Sequence, residues 1–267
     1  VNHGVEDGGT IRHKTLLHER ALMKAFLKWC RRKAIINYVP EITGYSKRDE
    51  RISTTKSRGA AYSESEVKRI FHILRERTCF DGDLRQEAYY ANLLYVYALT
   101  LFFSAGRPGE IRQLRVRDID FRDDKAVILI RSENSKVKKK RFTSIPKDVA
   151  DTIKRFVDWS DEGRQEENDF VFYLHDCPIK PVKTVNQTFR KLMEREGLYK
   201  NPEGVRRPIS SLRNSALTIL SGKVEQAFLV SVSGTSARML HKHYFDRKAE
   251  RFADSTAGLY EELILEE

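Results

Sequence analysis

The sequence predicts a mainly α-helical protein with a small antiparallel β-sheet, an α+β fold. Three observations predict it. Apolar residues recur at helical spacing along most of the 267 residues. Two short β-rich runs, near 126–130 and 141–145, flank a polar, lysine-rich turn and read as one hairpin. Ser63, followed three positions later by Glu66, marks a capped helix start ahead of Val67, Ile70, Phe71 and Leu74.

Taken in order, residues 14–35 carry Leu16, Leu17, Leu22, Phe26, Leu27 and Trp29 among basic and polar residues, which predicts one amphipathic helix ending before Pro40. Residues 41–61 mix Thr, Ser and Gly with Lys and Arg, have no apolar period, and read as a basic linker. A second domain follows over 62–246. It opens with the capped helix at Ser63 and continues with a largely apolar helix over 85–105, whose breadth of hydrophobic surface makes it central and which stops at Gly106. A short helix over 108–114 precedes the hairpin. Helices are then expected over 147–159, 183–197, 209–222, 225–232 and 235–244, with an amphipathic tail helix over 247–267. Val1 in place of an initiator Met leads us to expect a fragment of a longer chain.

Composition narrows the partner. Lys and Arg total 49 against 38 Asp and Glu, a formal charge of +11, and the pI is about 9.5; such a balance favours a polyanion, nucleic acid foremost. Cys30, Cys79 and Cys177 lie far apart and are odd in number, so neither a disulfide framework nor a zinc site is suggested, and a reducing cytosol fits. The apolar run at 93–103 is too short for a membrane span, and nothing resembles a signal peptide. Neither a carboxylate metal cluster nor a glycine-rich cofactor loop is present, which argues against a nuclease or methyltransferase; no metal and no cofactor is expected.

Four places could carry chemistry. Arg107, in Ser104-Ala105-Gly106-Arg107-Pro108-Gly109-Glu110, sits where one helix ends and the next begins, so its guanidinium and free backbone N–H groups suit a phosphate. The hairpin tip Ser135-Lys136-Val137-Lys138-Lys139-Lys140-Arg141 could reach into a groove or protonate a leaving oxygen. In Arg206-Arg207-Pro208-Ile209-Ser210-Ser211-Leu212-Arg213, the last arginine projects from a helix's first turn. Finally, Thr235 in Gly234-Thr235-Ser236 stands nine residues before Tyr244 in His241-Lys242-His243-Tyr244. Singly, each has a plain structural explanation: a capped surface turn, solvated lysines, surface charge, a core tyrosine.

As an ordered set these places resemble the tyrosine recombinase, or phage-type integrase, family over about residues 62–245. Gly106-Arg107 with Glu110, then Leu114 and Asp118-Ile119-Asp120, is similar to the family's first arginine box. Lys136, ahead of Arg141 and Pro146, is similar to its hairpin lysine, with Lys138 and Lys139 as rival registers. Arg213 fits the second box, whose histidine position holds Ser210. Thr235 stands where a further histidine is usual. Phe26-Leu27-Lys28-Trp29 looks like the end of the family's core-binding domain, which assigns 1–40 to the C-terminal part of that clamp.

The resemblance implies a site-specific recombinase or integrase of double-stranded DNA in a prokaryotic cell or phage host, cytoplasmic and nucleoid-associated. Tyr244 would be the nucleophile, Arg107 and Arg213 the phosphate ligands, Lys136 the general acid, and Glu110 the group that orients an active-site base or arginine. Ser210 would hydrogen-bond the phosphate while water, His241 or His243 takes the phenol's proton; Thr235 joins the same site. Lys138, Lys139, Lys140, Arg141, Arg206 and Arg207 would contact DNA. A homotetramer on DNA is expected, with the tail passing to a neighbour or docking on its own domain. The alternatives are a catalytically impaired DNA-binding relative with a structural or regulatory role, motivated by Ser210 and Thr235, and a type IB topoisomerase-like enzyme.

Overall fold

Helical periodicity and strand alternation organise the computed structural model, which describes residues 13–42, 59–80, 85–135, 138–160, 166–175, 177–183, 185–238 and 240. The chain divides into two units, residues 1–58 and 59–267.

In the first unit, α1 (His13–Arg32) is followed by Ala34 in the left-handed region, φ 54°. Arg20 Nη2 donates to the Ile42 carbonyl at 2.7 Å and holds the following segment. Leu22, Met23, Phe26 and Trp29 are exposed, and the Phe26 and Trp29 rings stack at 6.2 Å.

The second unit is built around a central helix. Helix α2 (Glu64–Arg75) starts in the expected capping box, Ser63 and Glu66 each accepting the other's backbone N–H. Its Val67, Ile70 and Leu74 are buried and join the core with α3 (Gln86–Phe103). Tyr89, Leu93, Val96, Tyr97, Ala98 and Leu101 of α3 lie on several faces of the helix and are all almost fully buried, so neighbours surround it. Around it lie α2, α5 (Lys147–Ser160), α6 (Val185–Arg195) and α7 (Ser210–Leu220).

How α3 ends decides where the site forms. The sequence reading stops it at Gly106, but the left-handed residue is Ala105, at φ 47°. Gly106 is needed for space: a Cβ there would lie 2.5 Å from Ile111 Cδ1 and 3.0 Å from Ser104 Oγ. Ser104 Oγ donates to Thr100 O at 2.5 Å and accepts from Gly106 N–H at 3.1 Å, while Thr143 Oγ1 donates to Ser104 O at 3.1 Å. The turn's polar groups are thereby paired before the short helix α4 (Pro108–Ile111) begins.

A three-stranded antiparallel sheet has the order β1 (Ile119–Phe121), β2 (Lys125–Ile130), β3 (Arg141–Pro146). Ile128 stands opposite both Ile119 and Thr143. Ala126, Ile128, Ile130, Thr143 and Ile145 are buried on the inner face. β1 goes beyond the expected hairpin, because three residues are too few to show an alternation. A second hairpin, β4 (Tyr173–Leu174) with β5 (Cys177–Pro181), was also unanticipated.

After α7 comes α8 (Gln226–Ser233), and a further helical turn starts at Ser236, whose carbonyl accepts from Leu240 N–H at 3.0 Å. The rest of the helix expected over 235–244 and the tail over 247–267 lie outside the described residues. Upstream, Gly59 and Tyr62 are clamped on α7: Asn214 Nδ2 donates to Gly59 O at 3.0 Å and Tyr62 N–H to Ser215 Oγ at 2.8 Å.

Gly106→Ala should therefore overpack the turn against Ile111 and cost about 1–3 kcal/mol. Urea unfolding of the two proteins measures it, with an unchanged midpoint as the contrary result.

Candidate functional site

Helix α8 points its C-terminus at the turn that ends α3. The last carbonyls of a helix have no partner within it and carry its negative dipole end. Here three guanidinium groups supply the missing donors. Arg141 Nε donates to Val232 O at 2.8 Å, Arg213 Nη2 to Ser233 O at 3.0 Å, and Arg107 Nη2 to Gly234 O at 2.8 Å. Gly234 makes the convergence possible. Its φ of 60° is the left-handed cap conformation, and a Cβ would lie 3.2 Å from three atoms of the Arg141 guanidinium.

Each arginine arrives from a different element. Arg107 is the N-cap residue of α4. Arg213 lies in the first turn of α7, is 6% exposed, and also donates to Thr235 Oγ1 at 2.7 Å and to the carbonyl of Ala105. The left-handed Ala105 thus takes part in seating Arg213. Arg141 begins β3.

Glu110 ties the first and third together. Its Oε2 accepts Arg107 N–H at 2.9 Å and its Oε1 accepts Arg107 Nη1 at 2.9 Å. Arg141 binds the same carboxylate bidentately, Nη1 to Oε1 at 3.1 Å and Nη2 to Oε2 at 2.5 Å. Burial by itself raises the Glu110 pKa, but the hydrogen bonds from Arg141 and Arg107 outweigh it and hold the carboxyl below its ordinary value. Among the described residues, three guanidinium groups gather here around one carboxylate. Such a cluster, partly withdrawn from water, is suited to an anion whose charge grows during a reaction.

Two expectations need correcting. Arg141, read as a groove-facing cation, has a side chain only 8% exposed and committed to Glu110 and Val232. The sequence signal for this was the strand period, since Arg141 shares a face with Thr143 and Ile145. Arg207, also read as a DNA contact, is 3% exposed; it pairs with Glu66 at 2.8 Å, donates to Lys200 O at 2.8 Å and lies over the Tyr62 ring. Both guanidinium groups are held by carboxylates of this domain, Glu110 and Glu66. No local pattern could have shown the second case, because Glu66 is 141 residues away.

The other residues distribute as follows. Ser210 is the first residue of α7, half-buried and one turn before Arg213. Lys138, Lys139, Lys140 and Arg206 are exposed. Lys136, His241, His243 and Tyr244 lie outside the described residues. The base of the lysine hairpin is fixed by Asp118, a buried carboxylate that accepts Arg131 Nε at 2.6 Å and Arg115 N–H at 3.1 Å. Arg131 O in turn accepts Ser135 N–H at 3.1 Å. Asp118 belongs to the stretch that resembles the first arginine box, whereas nothing local in the sequence marks Arg131 as its partner.

The fold and this arginine-lined turn define the class: the second unit has the architecture of a tyrosine recombinase catalytic domain. The family model described as "Phage integrase family" matches residues 61–250, and the chain belongs to that family. Among solved structures, the XerH site-specific recombinase in a post-cleavage complex with a palindromic difH substrate is similar, with TM-score 0.59 and 16% identity over 82% of this chain and 57% of its own. The Tn1549 transposon integrase in complex with a circular intermediate DNA gives 0.58 and 14%, covering 91% and 80%. A lambda integrase dimer bound to a COC′ core site gives 0.55 and 16%, covering 85% and 58%. This chain thus spans little more than half of XerH. Among curated proteins no sequence matches it.

The depressed Glu110 pKa has a pH signature. Its contribution to stability is complete above the unfolded value, about 4.3, and is lost as pH falls below it toward the lower folded-state value. Relative to Glu110→Gln, the wild-type protein should lose stability progressively as pH falls from about 5 to about 3. Urea midpoints across that range provide the check; a constant difference would mean that Glu110 carries no such ionic contribution.

Proposed function

We propose that the protein is a site-specific DNA recombinase that cleaves and rejoins strands through a 3′-phosphotyrosine formed by Tyr244. One observation supports this above all: Arg107 and Arg213 meet on the turn 233–235, and that turn leads nine residues later to Tyr244. In this reading the scissile phosphate sits against the two guanidinium groups, which neutralise its non-bridging oxygens as the fifth bond to phosphorus forms. Thr235, whose oxygen already accepts from Arg213, has its hydroxyl proton to offer the same phosphate, and Ser210 donates from the start of α7. The Tyr244 oxygen attacks phosphorus, the bond to the 5′ oxygen breaks, and a hairpin lysine protonates that oxygen. The phenol's proton goes to water, His241 or His243. Because one ester replaces another, the reverse attack by a 5′ hydroxyl restores the strand without ATP.

Lys138, Lys139, Lys140 and Arg206, all exposed, would contact the DNA backbone. Residues 1–40 act as the end of a core-binding clamp, and 41–61 as the basic linker joining it to the catalytic domain at 62–246. The active species is a homotetramer on DNA, with the tail at 247–267 passing to a neighbour or docking on its own domain, in a cytoplasmic, nucleoid-associated setting. Among the described residues no helix is long and apolar enough to cross a membrane.

Incubating the protein with a nicked duplex that carries its site, followed by a denaturing gel and peptide mapping, tests the proposal. The expected product is a covalent adduct at Tyr244 that disappears in Tyr244→Phe. DNA binding with no adduct would instead indicate a protein that binds DNA without cutting it. The lysine register follows from a substrate whose 5′ bridging oxygen is replaced by sulfur, since a thiolate leaves without a general acid. Among Lys136→Ala, Lys138→Ala and Lys139→Ala, the general acid's variant should lose about 100-fold or more on the ordinary substrate and recover on the sulfur-bridged one. Equal losses on both substrates for all three would remove lysine from that role.

A further inference from the structure

Arg141 is the arginine of this site that grips Glu110 with both ends of its guanidinium fork. Its guanidinium makes three contacts: both oxygens of Glu110 and the carbonyl of Val232. The side chain is 8% exposed, and Gly234 lies directly against it. Glu110 meanwhile accepts from Arg107 as well, through both its backbone N–H and its Nη1. The carboxylate is therefore shared between two cations, of which Arg107 is the more solvent-facing, with a side chain 24% exposed. Without Arg141, the full carboxylate charge would fall on Arg107. The last turn of α8 would also lose a donor.

We infer that Arg141 is a positioning residue for DNA cleavage: by neutralising Glu110 and holding Val232, it leaves the charge of Arg107 available to the scissile phosphate. This rests on the recombinase reading above and goes beyond it, because it takes Arg141 out of the DNA contacts and gives it a role acting through Glu110. The two roles predict different behaviour. A cation that touches a DNA phosphate contributes about one unit to the slope of log affinity against log salt. A cation buried behind the site contributes none, yet its loss weakens the chemical step.

The experiment uses the whole chain on its nicked duplex and measures the salt dependence of binding together with the single-turnover rate of adduct formation. Adduct formed by the wild-type protein verifies the underlying reading independently of Arg141. Arg141→Ala should bind with an unchanged salt slope and cleave about 100-fold or more slowly. Adding Glu110→Gln removes the carboxylate that captures Arg107, and should restore about tenfold of the lost rate even though Val232 remains without its donor. Should the alanine variant fail to fold, as judged by circular dichroism, Arg141→Met preserves the side chain's bulk and carries the same comparisons. A salt slope reduced by about one, or a double variant that cleaves no faster than the single, would overturn the inference.

Discussion

Helix α8 ends with three carbonyl groups that need donors, and the site exists because three arginines, remote from one another in the sequence, supply them. Val232, Ser233 and Gly234 accept from Arg141, Arg213 and Arg107 in turn. Cations at a helix C-terminus are favoured by its dipole, and hydrogen bonds from charged donors are stronger than those between neutral groups. The arrangement satisfies backbone that would otherwise be orphaned and collects like charges that would otherwise repel. Glu110 completes the balance by bridging two of the three.

The rest of the second unit serves to bring these donors to that helix end. Helix α3 forms the centre of the core and stops where Ala105 turns left-handed, which presents the Ala105 carbonyl to Arg213. Tyr97, from the body of α3, donates to Pro108 O at 2.6 Å and pins the start of α4, where Arg107 is the cap. Strand alternation turns Arg141 inward. The clamp of Gly59 and Tyr62 on α7 secures the helix that carries Arg213. The polar constellation is thus held by elements whose own side chains are fixed by packing, as geometry of this precision requires.

The sequence made much of this legible, and physical reasons separate what it showed from what it did not. Capping chemistry at Ser63, the apolar breadth of α3 and the hairpin around the lysines are local signals, and each corresponds to an observed element. Arg107, Glu110, Arg213 and Thr235 were recognisable as a set because their order and spacing resemble a known family, and the structure brings these four together. Pairings across long stretches of sequence were not legible. Arg207 with Glu66 looks in sequence like any surface arginine, and although the strand period turns Arg141 inward, its partners Glu110 and Val232 depend on which elements pack together. Strand β1 and the β4–β5 hairpin are too short to carry a period, so tertiary contacts alone define them.

Ser210 and Thr235 stand where the family resemblance would place imidazoles, so in the proposed reading more of the electrostatic work falls on the arginines. Thr235 is already oriented by Arg213, while Ser210 shares that arginine's helix one turn earlier. A crystal structure of Tyr244→Phe bound to its uncleaved duplex would test the central claim most directly. The account predicts the scissile phosphate within about 3 Å of donors from both Arg107 and Arg213, with the α8 carbonyls still holding all three guanidinium groups. A phosphate bound elsewhere, with the arginine-lined turn left facing solvent, would contradict it.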